Sequence, residues 1–272
     1  MNSFEKINEA VSFLKQYNVA NVKVAVVLGS GLGNFVKEIK VDHEVAYADI
    51  PHFPVSTVVG HSGKLIFGTV AGKPIIAMSG RFHFYEGYDA EDVILPVRVM
   101  KFLGVEVLML SNAAGGVDRS FKVGDLMMIT DHISFFTKNP LIGKNDDRLG
   151  TRFPDMSEPY SKTLQKKARE AANKLHIDLK EGIYVAVTGP TFETHAEYKL
   201  IETIGAQAVG MSTVQEVIAA VHVGMKVFAM SVITDIGIRD DDNKITHEEV
   251  LQAANEAEPK FAAIFRELIA SI

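Results

Sequence analysis

The chain has 272 residues, 47% of them hydrophobic, with a formal net charge of −6 and no cysteine. It can bury a sizeable core without staples, and the missing thiols exclude disulfides, thiolate metal sites and a cysteine nucleophile. Scattered basic residues argue against nucleic acid as a partner, and apolar runs such as 24–28 and 105–110 are far too short to span a bilayer.

Phe4, Ile7, Val11 and Leu14 recur at helical spacing and predict an opening amphipathic helix. Glu5, Lys6 and Glu9 interrupt its apolar residues, so no secretory signal is expected and a cytoplasmic setting is the default. A buried strand over 23–28 ends in Gly29-Ser30-Gly31-Leu32-Gly33. That segment has neither the lysine of a P-loop nor the spacing of a dinucleotide fingerprint. It is either a phosphate loop, with Ser30 and backbone amides as donors, or a plain strand-to-helix turn. His61, in Gly60-His61-Ser62-Gly63, reads alone as a turn residue. Strands over 65–70 and 75–78 lead into Ser79-Gly80-Arg81-Phe82-His83-Phe84-Tyr85-Glu86-Gly87-Tyr88. Arg81 offers a rigid fork of donors suited to phosphate. In an extended segment, His83 shares its face. Glu86 can hold the other imidazole nitrogen. A surface arginine beside a structural histidine is the plainer alternative.

A helix over 90–103 and a strand over 105–110 follow, ending in Asn112-Ala113-Ala114-Gly115-Gly116. Such bare backbone lets a ligand lie against the chain, or else serves tight helix packing. After a strand over 125–130, residues 135–160 lack periodicity and carry Pro140, Pro154, Pro159, Gly143 and Gly150. A loop that long is usually functional or packs on a neighbour. A helix over 161–175 and a strand over 183–187 lead to Gly189-Pro190-Thr191-Phe192-Glu193. An aromatic beside a carboxylate suits a flat heterocycle with an N–H donor; a carboxylate favoured at a helix start is the alternative. A helix over 194–204, a strand over 208–211 ending in Met211-Ser212-Thr213, and a helix over 214–223 come next. The strand over 227–233 ends in Thr234-Asp235, where a carboxylate is costly unless solvated or paired. The last helix starts at His247, after the capping pair Thr246 and Glu249. His247 alone reads as a first-turn residue. Asp240-Asp241-Asp242 reads as a solvated loop without the full EF-hand pattern, and no metal-ligand spacing emerges.

Apolar strands alternating with helices predict an α/β fold: one domain over 1–272, with a mixed, largely parallel sheet flanked by helices. Ligands of such sheets bind at the carboxyl ends of the strands, where six site-like segments gather.

Together these segments resemble the trimeric, low-molecular-mass purine nucleoside phosphorylases. The resemblance rests on 28–33, 60–63, 80–88, 112–116, 189–194 and 210–213, with Arg152-Phe153-Pro154 and His247-Glu248-Glu249-Val250. It implies that Ser30, His61, Arg81, His83, the Ala113 amide and Ser212 hold inorganic phosphate, with Glu86 orienting His83. It places Tyr85, Met211 and His247 on the ribose, and Ala114, Phe192, Glu193, Thr234 and Asp235 on the purine. His83, Glu193 and Asp235 would be the catalytic groups. Phe153 would reach into a neighbouring subunit's site, which implies a homotrimer. The implied reaction is reversible phosphorolysis of inosine, guanosine and their 2′-deoxy forms to free purine and (deoxy)ribose 1-phosphate, in purine salvage. Phosphate is a co-substrate, and neither metal nor other cofactor is implied. One position departs from the pattern: the family usually has Asn where this chain has Asp235. The related methylthioadenosine phosphorylases carry Asp there, yet lack the counterpart of Glu193 and have an apolar 5′ pocket in place of His247. A 6-aminopurine-accepting or methylthioadenosine phosphorylase is therefore the alternative. A non-catalytic nucleoside sensor should have lost the phosphate residues, and a dinucleotide oxidoreductase needs different glycine spacing.

Overall fold

The computed structural model describes residues 2–17, 21–58, 61–238 and 245–272. Gly60 and the acidic run Asp240-Asp241-Asp242 lie outside them. Among the described residues nine strands form one sheet: β1 Val24–Leu28, β2 Lys40–Ala46, β3 Lys64–Val70, β4 Lys73–Ser79, β5 Val107–Gly116, β6 Leu126–Ile133, β7 Leu179–Ala186, β8 Ala208–Gly210 and β9 Lys226–Ile236. Their order is β2-β3-β4-β1-β5-β8-β7-β6-β9, and β5 also pairs with β9. The strands from β5 onward therefore close into a five-membered ring, while β2, β3, β4 and β1 extend from it. Five pairings are parallel (β1–β4, β1–β5, β5–β9, β6–β7, β7–β8) and four antiparallel.

Every residue of β1 is buried because helices cover both faces. Its alternate side chains feed two cores. Ala25 and Val27 join the cluster that includes α1 (Ser3–Leu14), α3 (Leu95–Phe102) and α6 (Val214–His222). Val24, Val26 and Leu28 join the cluster of α4 (Lys162–Leu175) and α7 (His247–Ala270).

The predicted strands and helices appear close to their expected bounds, with four differences. β2 carries almost no apolar signal, since six of its seven residues are exposed on a charged edge strand. The helix expected over 90–103 is two pieces, α2 (Ala90–Val93) and α3, because Pro96 in the first turn of α3 cannot continue the preceding helix. Asn112 to Gly116 does not follow a strand; it is the second half of β5. A register shift at Ala114/Gly115 against β9 re-aims the chain there. Asp235 likewise lies within β9 rather than after it. Residues 134–161 form neither helix nor strand and carry four exposed apolar side chains, Phe135, Phe136, Ile142 and Phe153.

Candidate active site

One cavity of about 470 Å³ opens where β5, β8 and β9 converge, a size ordinary for small-molecule sites. Ser30, Arg81, His83, Ala113 and Ser212 line it, together with Tyr85, Met211 and His247. So do Ala114, Phe192, Glu193, Thr234 and Asp235. Glu86 lines it too, so fourteen of the sixteen residues singled out from sequence share one space. His61 stands one layer behind, its Nε2 at 3.3 Å from Ser30 Oγ. Phe153 is 84% exposed and lines no part of the cavity.

Arg81 organises one end. It is 1% exposed. Its Nη1 donates to the Ser111 carbonyl at 2.6 Å and to Ser212 Oγ at 3.3 Å, and its Nε donates to Glu216 Oε1 at 3.2 Å. Nη2 has no partner, a buried donor that a ligand oxygen can satisfy. Gly80 makes the approach possible. Its φ of +98° suits glycine, and a Cβ there would lie 2.6 Å from His61 Cβ.

Glu216 also accepts from the Thr213 amide at 3.1 Å, and Thr213 Oγ1 accepts from Asn112 Nδ2 at 2.8 Å. These bonds hold Thr213 at φ +72°, a strained value for a β-branched residue. The result is a fixed turn that presents Ser212 at the start of α6, where the helix dipole favours an anion.

His83 donates its backbone N–H to Glu86 at 2.8 Å, and its Nδ1 lies 3.0 Å from the same oxygen. Burial raises the Glu86 carboxyl, but donation from His83 and Thr57 outweighs it and holds the pKa at about 2. An ionised carboxylate can only accept, so Nδ1 carries the proton and Nε2 is left for a ligand. Burial lowers the pKa of His83, and burial with the nearby His83 and Arg81 lowers that of His61 to about 4. Without a ligand, Arg81 is therefore the cation of this end.

The depressed Glu86 pKa has a stability consequence. The stabilisation is full above the usual carboxyl range and is lost as pH falls from about 4.5 towards 2. Urea denaturation of wild type and Glu86→Gln across that window should show the stability gap closing on acidification. A constant gap would contradict the assignment.

At the other end, burial raises the pKa of Glu193, and the neighbouring Asp235 adds to the effect against hydrogen bonds from backbone and Tyr198. Thr234 Oγ1 donates to Asp235 Oδ1 at 3.2 Å, and the Tyr198 hydroxyl to Oδ2 at 3.4 Å. Ser111, which accepts from Arg81, and Gly115, which pairs with Asp235, are four residues apart on β5. That is about 13 Å at the strand rise, room for a ligand with an anionic end and a heterocyclic end.

Sequence reasoning did not single out Thr57, Glu216 or Tyr198 for the site. Glu216 had a readable signal, three residues after Thr213 at a helix start. Thr57 and Tyr198 had none, since each depends on long-range contacts.

A phosphorylase superfamily model matches residues 23–270. Purine nucleoside phosphorylase 1 of Bacillus subtilis (strain 168) is 48% identical over 266 residues, covering 98% of each chain. The purine nucleoside phosphorylase of Bos taurus is 44% identical over 277 residues, covering 99% of this chain and 96% of its own. The crystal structure of isoform 2 of the Schistosoma mansoni enzyme, in complex with cytosine and ribose-1-phosphate, superposes with a TM-score of 0.94 at 40% identity, covering 99% of this chain and 97% of that one.

Proposed function

Because the chain belongs to the phosphorylase superfamily, we propose that this cavity exchanges the base of a purine nucleoside for phosphate, with inosine, guanosine and their 2′-deoxy forms as substrates. The chain is a purine nucleoside phosphorylase, a pentosyltransferase. The observation that carries the substrate reading is the meeting of an arginine-centred anion end and a paired-carboxylate end in one cavity.

Phosphate is the co-substrate. Ser30, Arg81, His83, the Ala113 amide and Ser212 hold it, with His61 behind Ser30. One of its oxygens bonds to C1′ as the C1′–N9 bond breaks, and the bonding pair leaves with the purine. The sugar becomes cationic in between. An anion fixed on one face both stabilises that charge and stands in place to react. Tyr85, Met211 and His247 hold the ribose, with His247 on its 5′-hydroxyl. Phe192 stacks on the base, and Ala114 and Thr234 enclose it. Glu193 accepts the N1–H of a 6-oxopurine. Asp235, when protonated, donates to O6 or N7 and neutralises the departing base, help of a kind typically amounting to about 10²–10⁴-fold. The nearest rival is phosphorolysis of methylthioadenosine, which an apolar 5′ pocket would favour and His247 does not. Supplying inosine and methylthioadenosine in parallel, each with phosphate, separates the two. Inosine should be cleaved and methylthioadenosine left intact, and the reverse pattern would overturn the reading.

The functional unit is a homotrimer in which Phe153 completes a neighbour's site. Phe135 and Phe153, 90% and 84% exposed on one irregular loop, support this, since such side chains mark an interaction surface. Phe153→Ala should raise KM for nucleoside about tenfold, as for other buried aromatic contacts, while sedimentation still shows a trimer. An unchanged KM would remove Phe153 from the site. Among the described residues no helix is long and apolar enough to cross a membrane, and we place the reaction in the cytoplasm.

A further inference from the structure

The Tyr198 side chain lies behind the base end of the cavity. It is 4% exposed, and its ring packs with Val117, Val185, Ile201, Ala206 and Val209. A side chain at position 237 would collide with that ring, so Gly237 is what admits it. The phenol then reaches two carboxylates. It donates to Asp235 Oδ2 at 3.4 Å, and Glu193 is the second carboxylate beside it in the same cavity wall. A phenol has one proton to donate and lone pairs to accept. It can therefore stand between a protonated and an ionised carboxyl with either on either side.

The two classes of purine need opposite arrangements. A 6-oxopurine offers N1–H and the acceptors O6 and N7, which match an ionised Glu193 and a protonated Asp235. A 6-aminopurine offers an N1 acceptor and an amino donor, which match a protonated Glu193 and an ionised Asp235. Each arrangement holds one proton on two carboxyls.

Resting on the reading of this end as the purine site, we propose that the Tyr198 hydroxyl is a proton bridge between Glu193 and Asp235 that fits one site to both 6-oxo- and 6-aminopurine nucleosides. Glu193 passes its proton to the phenol oxygen while the phenol passes its own to Asp235 Oδ2. One O–H bond breaks and one forms at each step, and the net charge is unchanged. The surrounding ionisable groups are Tyr184 of β7, which feels the Glu193 charge, and Glu197 of α5 (His195–Thr203), which acts on Glu193. Burial raises the pKa of Tyr198 and keeps the phenol protonated. Burial also favours the proton on Glu193, the arrangement that suits a 6-aminopurine. Tyr198 acts through residues that touch the base, and is a positioning residue.

The test compares kcat/KM for inosine and adenosine, each with saturating phosphate, in wild type, Tyr198→Phe, Asp235→Asn and the double variant. Wild type should turn over both. Tyr198→Phe keeps the ring and strands the proton on Glu193, so the inosine-to-adenosine ratio should fall about tenfold, one pK unit of preference. With Asn at 235 the bridge has no second carboxyl, and adding Tyr198→Phe should shift the ratio by less than about twofold. A merely structural tyrosine would lower both substrates alike in both backgrounds, which overturns the proposal. So does a wild type that cleaves inosine and leaves adenosine intact. A wild type inactive on both nucleosides would instead defeat the functional reading on which this one rests.

Discussion

Replacing Arg81 with methionine should lower kcat/KM for phosphate by about 10²–10³-fold, the usual consequence of losing a preorganised donor at a developing charge. It should also destabilise the fold. The side chains of Arg81 and Glu216 are 1% and 5% exposed. Removing one partner leaves a buried charge uncompensated, at a cost of about 3–5 kcal/mol. The two effects can be separated. The Arg81→Met, Glu216→Gln double variant removes the stranded charge, so urea denaturation should show most of the stability restored while phosphorolysis stays depressed. Activity returning together with stability would mean that Arg81 serves the fold and not the phosphate.

Glu193→Ala should have the opposite kinetic character. Without its carboxylate, the N1–H of a bound 6-oxopurine meets no acceptor, and a site built for that bond should reject the base. The kcat/KM for inosine should fall on the order of 10²–10³-fold. The anion end, built on Arg81, Ser212 and Glu216, shares no hydrogen bond with Glu193. KM for phosphate should therefore remain near the wild-type value. Equal losses in both parameters would show a collapsed cavity instead of a lost contact.

The alternating strands and helices were legible in the sequence because fully buried strands such as β1 are apolar throughout. Segments carrying dense chemistry were legible too. Arg81, His83 and Glu86 fall within six residues, and the structure turns all three to one cavity. The closed ring of strands was not. It depends on β5 pairing with β1 in its first half, with β8 at Gly115 and Gly116, and with β9 throughout, and no local pattern encodes that bend. The same limit hid Tyr198. Its helical position and aromatic character read as core, which its ring is; only its hydroxyl, set against Asp235 of a distant strand, belongs to the site. β2 was invisible for another reason: a polar edge strand has no buried face to impose a period.

In a phosphorylase, phosphate rather than water displaces the purine. Inosine incubated with the purified chain should release hypoxanthine only when phosphate is added, and phosphorus NMR should show one ribose 1-phosphate per base released. Equal base release without phosphate, with free ribose as the sugar product, would contradict the account.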